Sequence, residues 1–137
     1  MPGLDPNHWL YRLSPEEWLA AADTELRHCE DTLLRRAVRP GVTHARRAAG
    51  MALNAILALA QDARYGRSYM EHVVALADDE AATPDARAAA TFLRATPASP
   101  PPLVTIGKPD LRVLDEARKI VAYARRRAAE PRLAADP

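Results

Sequence analysis

Residues 14–37 read SPEEWLAAADTELRHCEDTLLRRA, and this segment predicts a long amphipathic helix. It opens with a capping box, in which Ser14 and Glu17 satisfy backbone N–H groups that the first turn leaves unpaired, and Pro15 suits the first helical position. Apolar residues then recur at steps of three and four along one face: Trp18, Ala22, Leu26, Cys29, Leu33 and Ala37. We expect Pro40-Gly41 to end this helix after about 24 residues, a length of ~36 Å.

Similar signals divide the rest of the chain into helices. Alanine, the best helix former, is abundant, and the β-branched residues that build strands are sparse. Caps, prolines and glycines place the boundaries: a second helix after Thr43, a break at Gly66, a third helix from Arg67 or Ser68 to Asp78, a fourth after Thr83-Pro84, and a last long helix from Pro109-Asp110. The predicted fold class is an all-α, antiparallel up-down bundle of four to five helices.

The 137 residues suffice for one domain, which we place at residues 14–129. Residues 1–13 are expected to form an irregular lead-in whose apolar residues, Trp9 among them, dock as a short turn. A proline-rich linker is predicted over residues 97–102 and a brief extended stretch over residues 103–106. Residues 130–137 are expected to be a disordered tail.

Composition narrows the function classes. The net charge of +1 gives no argument for a generic nucleic-acid-binding protein. Cys29 is the only cysteine, so no intramolecular disulfide forms, and its place in an apolar repeat predicts a buried structural thiol. No apolar run approaches the ~20 residues that cross a bilayer, and no signal peptide is evident. We therefore expect a cytoplasmic protein with no membrane contact and no cofactor.

Three segments carry a resemblance to a known family. They are ARRAAGMALNAIL at residues 45–57, YGRSYMEH at residues 65–72 and LDEARKIV at residues 114–121. With the order of the predicted helices, they make residues 14–129 resemble the HEPN family of helical bundles. The resemblance implies a nucleotide- or RNA-associated domain that is commonly homodimeric. Because no complete catalytic set is evident, the leading interpretation is a non-catalytic module that binds a nucleotide, an RNA or a partner protein.

A second interpretation is a metal-independent endoribonuclease of the toxin or defence type. Members of the HEPN family with that activity carry an arginine, a polar residue, three further residues and a histidine. Arg67, Ser68 and His72 stand at this spacing. Attack of a 2′-hydroxyl on the adjacent phosphate needs a proton acceptor that works near neutral pH, such as histidine, and a fixed cation for the developing charge, such as arginine.

Two further groups of residues are candidate sites. The arginines close to the first predicted helix boundary are candidates for anion binding: Arg35, Arg36, Arg46 and Arg47. Glu25 and His28 form a Glu-x-x-His pair, the spacing that puts two metal ligands on one helix face. His44 and His72 could join His28 in a three-histidine metal site, which makes a metal-dependent bundle enzyme the third interpretation. The sequence leaves all three interpretations open.

Overall fold

Every regular element in the described part of the chain is helical. The structure is a computed structural model that describes residues 8–97 and 107–130. It contains five α-helices, and no strand in these ranges: α1 (Pro15–Leu34), α2 (Val38–Leu59), α3 (Tyr69–Asp78), α4 (Pro84–Ala95) and α5 (Arg112–Ala128). Two short 3-10 helices occupy Trp9–Arg12 and Ala63–Tyr65. The prediction of an all-α fold is confirmed.

Helix α2 is the centre of the packing. It contacts α1, α3 and α5, and α4 closes the other side by packing on α3 and α5. Small residues make this close approach possible, and several of them have no exposed surface: Ala45, Ala48, Ala49, Ala52 and Ala55. Gly50 lies against Tyr69 at the start of α3, where a Cβ would collide with the Cβ and ring of the tyrosine. The helices are thus held by an apolar core in which alanines allow close approach and buried leucines and Ile120 fill the space between them.

The boundary between α1 and α2 differs from the prediction. Helix α1 ends at Leu34, a turn with Arg36 at φ 63° follows, and α2 begins at Val38. Pro40 therefore lies in the first turn of α2 and does not end α1. The predicted position was wrong because the first four N–H groups of a helix have no intrahelical acceptor, so a proline there breaks no hydrogen bond. Thr43, predicted as an N-cap, lies inside α2 and donates its hydroxyl to the Arg39 carbonyl.

The other helix starts follow their local signals more closely. The capping box at Ser14 is formed, and a second one joins Ser68 to Glu71 at the start of α3. Thr83 caps α4 as predicted. Helix α5 begins two residues after Asp110, whose carboxylate accepts a hydrogen bond from the Arg112 N–H. The start signals therefore place these four helices to within a few residues.

The N-terminal 3-10 helix docks on the bundle through apolar contact and one hydrogen bond. Leu10 is buried in the main core, and the indole N–H of Trp18 donates to the Leu10 carbonyl over 2.9 Å. The predictions for residues 1–7, for the chain between 98 and 106 and for residues 131–137 lie outside the described residues. Over the described ranges, no helix has both the length and the apolar character of a membrane span.

Cys29 is buried, as predicted. Its thiol donates to the Gly41 carbonyl over 3.3 Å, which ties α1 to the start of α2. Burial raises the pKa of the Cys29 thiol to about 11, so the residue stays protonated at neutral pH. Its role is to fill the α1–α2 contact.

Candidate functional site

His72 lies in the core of the bundle, on the inner face of α3. Its side chain has 0% exposure and touches the aromatic rings of Trp9, Tyr65 and Tyr69. Nδ1 lies 2.6 Å from the Tyr65 carbonyl oxygen, and Nε2 lies 2.7 Å from Oδ1 of Asn54 on α2. Both ring nitrogens therefore have partners inside the protein.

The protonation of His72 follows from these partners. Burial lowers the pKa of His72, because desolvation opposes the imidazolium more than the Tyr65 carbonyl favours it. A neutral ring that donates from Nδ1 to Tyr65 must accept at Nε2, so the donor amide end of Asn54 has to face it. The two ends of an amide have the same shape, and the Asn54 nitrogen has no other partner among the described groups. We therefore assign Asn54 as the donor to a neutral His72.

Arg67 and Ser68 lie on the surface beside the start of α3, away from the buried ring of His72. The Ser68 hydroxyl accepts the Glu71 N–H over 3.0 Å as the N-cap of α3. The Arg67 guanidinium lies 5.6 Å from the centre of the Trp9 ring, within the range of a cation–π contact. The Trp9 ring in turn stacks on His72 at 6.0 Å. The three residues of the hypothetical ribonuclease site thus do not open onto one surface in this structure.

A hollow of about 500 Å³ lies between the N-terminal 3-10 helix, the end of α2 and the loop before α3. Its lining combines aromatic, apolar and charged groups: His8, Trp9, Leu57, Asp62, Ala63 and Arg67. The carboxylate of Asp62 is taken up by an ion pair with Arg64 at 2.6 Å, and this hydrogen bond lowers the pKa of Asp62. Arg67, which also lines the hollow, is exposed, so its guanidinium is accessible to a ligand that enters from solvent.

The four arginines grouped as a candidate anion site do not form one patch. Arg35 pairs with Asp31 on its own helix at 3.4 Å, and both side chains are exposed. Arg36, in the turn between α1 and α2, donates to the Gly107 carbonyl. Both arginines therefore have partners within the protein, and the Arg36 contact joins the chain before α5 to the α1–α2 turn.

Arg46 has a structural position at the other side of α2. Its Nη2 and Nε donate to the Leu93 carbonyl over 2.9 and 3.3 Å, and Nη2 also donates to the Thr96 carbonyl. The guanidinium therefore satisfies carbonyl groups at the C-terminal end of α4, which the helix itself leaves unpaired. Arg47 faces α1 instead, where its Nη2 lies 3.1 Å from Oε1 of Glu25.

Among the described residues, Glu25 is the one buried acid, with 7% exposure, and groups from two helices surround it. Its Oε2 lies 2.6 Å from Nδ1 of His44, and its Oε1 accepts from Arg47. His28, one turn further along α1, lies with its ring 5.3 Å from the ring of His44. One ligand atom from each of Glu25, His28 and His44 lies within 4.8 Å of the other two. The Glu-x-x-His pair thus meets His44, while His72 belongs to the separate buried group.

Sequence reasoning missed two residues that define these sites. Trp9 was expected only to dock, although the chain has just two tryptophans and Trp9 stands next to His8 in a polar lead-in. Asn54 gave no signal, because a single amide inside an apolar helix is compatible with any buried polar contact.

We compared the chain with protein-family models, with curated proteins and with solved structures, and none of them matches it.

Proposed function

We propose that this protein is a non-catalytic nucleotide-binding module, which takes a free nucleotide or the end of an RNA in the hollow between Trp9 and Arg67. The observation that carries the proposal is the Arg67 guanidinium over the Trp9 ring, 5.6 Å from its centre, beside a hollow of about 500 Å³. That volume is within the usual range of ~300–1,000 Å³ for small-molecule sites.

The two side chains match the two halves of a nucleotide. A base stacks on an aromatic ring with a gain of about 1–3 kcal/mol, whatever its sequence identity. A guanidinium binds phosphate oxygens through two parallel hydrogen bonds. Arg67 covers the Trp9 face and is exposed, so it can move to the phosphate while the base takes its place on the indole. The side chains of Leu57 and Ala63 supply an apolar wall for the base edge.

The position of His72 favours binding without catalysis. A general base must come within hydrogen-bonding distance of the hydroxyl from which it takes a proton. His72 is buried under Trp9, and both of its nitrogens are used inside the protein. A ribonuclease reaction would require Trp9 to leave and the His72 hydrogen bonds to open, and both changes disrupt the core.

The proposal includes a HEPN-like, antiparallel bundle that acts as a homodimer. The contacts between α1 and α2 support the antiparallel order, because Leu33 meets Gly41 near the turn while Glu25, further back on α1, meets His44 further along α2. The three segments that resemble the family fall on α2, at the start of α3 and on α5. Light scattering on the purified protein tests the dimer directly.

Calorimetric titration with nucleoside mono- and triphosphates and with short single-stranded RNAs tests the binding proposal. We expect saturable binding that is lost when the stacking surface is removed by Trp9→Leu and weakened at least tenfold by Arg67→Gln. Arg35→Gln is the matched control, because it removes the same charge from an exposed arginine outside the hollow. A bound ligand at 100 times its dissociation constant raises the free energy of unfolding by about 2.7 kcal/mol.

Two results would contradict the proposal. One is the absence of binding and of thermal stabilisation across the whole panel. The other is binding that falls equally in Arg67→Gln and Arg35→Gln, since that result indicates attraction by overall charge. Cleavage of the RNA by the wild type, lost in His72→Gln while the fold is retained, would replace the binding module with the ribonuclease.

A further inference from the structure

A cluster of possible metal ligands lies between α1 and α2, separate from the hollow beside Trp9. We propose that Glu25, His28 and His44 bind one divalent transition-metal ion, with Zn²⁺ as the best match. One ligand atom from each residue lies within 4.8 Å of the other two, so a single ion can reach all three after small side-chain rotations. This inference does not depend on nucleotide binding.

The two helices bring the ligands together without any rearrangement of the backbone. Glu25 and His28 are three residues apart on α1, which places them one above the other on the same face. His44 comes from α2, whose position against α1 is held by the buried thiol of Cys29 and by the short turn around Arg36. Because the ligands stand on packed helices and not on loops, little conformational entropy is lost when an ion binds.

The ligand set favours a borderline transition metal over Mg²⁺ or Ca²⁺. Two imidazoles and one carboxylate bind Zn²⁺ in a group of catalytic sites, whereas Mg²⁺ and Ca²⁺ prefer oxygen ligands. Ligand atoms bound to a tetrahedral Zn²⁺ at 2.0–2.1 Å lie ~3.3 Å apart. The ligand atoms now lie up to 4.8 Å apart, so the longer distances have to shorten. The 2.6 Å contact between Glu25 and His44 has to lengthen, and side-chain motion can supply both changes.

When the metal ion binds, it takes the place of the hydrogen between His44 and Glu25. In the structure, Nδ1 of His44 lies 2.6 Å from Oε2 of Glu25, so a hydrogen joins the two atoms. When Nδ1 binds the metal, a neutral His44 carries its proton on Nε2, so no oxidant or other reactant is needed. Arg47 stays on Oε1 of the carboxylate and leaves Oε2 for the ion, in the position of an outer-shell partner.

A purely structural role for this cluster makes a different prediction. In that case Glu25 is a buried carboxylate that pairs with Arg47 and makes a hydrogen bond with His44, and the Arg47 cation repels a metal ion. His28 separates the two cases. It is exposed, and among the described residues its imidazole makes a ring contact with His44 but no hydrogen bond or ion pair. The contact between Glu25 and His44 does not require His28, whereas the metal site loses a ligand without it.

The test uses the full chain with any affinity tag removed and with metal stripped by a chelator. We expect calorimetric titration with Zn²⁺ to show one site per chain, and Co²⁺ to give the visible absorption bands of a low-coordinate nitrogen–oxygen site. His28→Ala should weaken Zn²⁺ binding by at least about 100-fold, because loss of an outer-shell partner alone costs 10- to 100-fold. Glu25→Gln should weaken it similarly.

His8→Ala is the control, since it removes a histidine outside the cluster, and it should bind Zn²⁺ as the wild type does. His28 is exposed, so its loss leaves the fold intact, which far-ultraviolet circular dichroism verifies. The proposal is overturned if the wild type shows no one-to-one binding of Zn²⁺. It is equally overturned if His28→Ala binds Zn²⁺ as tightly as the wild type.

Discussion

Acidification from pH 7.5 to 5.5 should destabilise this protein through His72, and the His72→Gln variant should lose that part of the response. The ring has 0% exposure, and burial lowers the pKa of His72 below the ordinary value of about 6.5. On acidification, the unfolded chain therefore binds a proton at His72 more readily than the folded protein does. The contribution of His72 to stability is complete above pH 6.5 and is lost as the pH falls towards the folded-state pKa.

The size of the effect follows from the unfolded state. At pH 5.5, one unit below the ordinary pKa, an exposed histidine is about ten times more often charged than neutral. If the folded state stays neutral, the wild type loses up to about 1.4 kcal/mol of unfolding free energy between pH 7.5 and 5.5 through this residue alone. Subtracting the response of His72→Gln removes the contributions of the other histidines and of the carboxylates.

Urea unfolding of both proteins at pH 7.5, 6.5 and 5.5 provides the measurement. The sign of the difference also tests the orientation of Asn54. If the carbonyl of Asn54 faces Nε2, two oxygen acceptors surround the ring and favour an imidazolium, so the wild type would gain stability relative to His72→Gln on acidification. That gain, or parallel responses of the two proteins, would refute a neutral His72. Long-range ¹H–¹⁵N spectra of the ring give an independent reading of its tautomer.

Three further substitutions test the packing. Gly50→Ala should destabilise the protein by about 1–2 kcal/mol in urea unfolding, although alanine is the better helix former, because its Cβ would collide with Tyr69. Arg46→Leu should lower the unfolding free energy by about 2 kcal/mol through loss of its hydrogen bonds to carbonyls at the end of α4, whereas Arg35→Leu should stay within about 0.5 kcal/mol. Ser68→Ala should cost about 1 kcal/mol by removing the cap of α3, which hydrogen exchange at the Glu71 amide reports.

The start of α3 could be predicted from sequence because its determinants are local. Ser68 caps the helix within its own first turn, and Gly66 adopts φ 67°, a conformation that glycine reaches without strain. The junction of α1 and α2 depends on tertiary contact instead. Pro40 is compatible with the end of one helix and with the first turn of the next, and the choice is made where Gly41 packs against Leu33. Leu33 and Gly41 are close in sequence, but helix start and stop signals do not report whether two helices pack across the junction between them.

The candidate sites were predictable to the extent that their residues share one helix. The spacing of Glu25 and His28 placed both on one face of α1, and the structure brings them together. Whether His44 or His72 would join them depends on the rotation of α2 and α3, which the packing of small side chains determines. Arg67 and His72 illustrate the converse: five residues apart across a helix start, one faces solvent and the other enters the core.

Four polar residues of α2 reach three different helices, and this separates the two proposed sites. His44 and Arg47 reach α1, Arg46 reaches α4 and Asn54 reaches α3. Such contacts hold one rotation of a helix whose alanine faces would otherwise pack almost equally well in several. Leu57 at the hollow follows His44 at the metal cluster by thirteen positions along α2, a distance of about 20 Å. Substitutions at one site should therefore leave the affinity of the other unchanged.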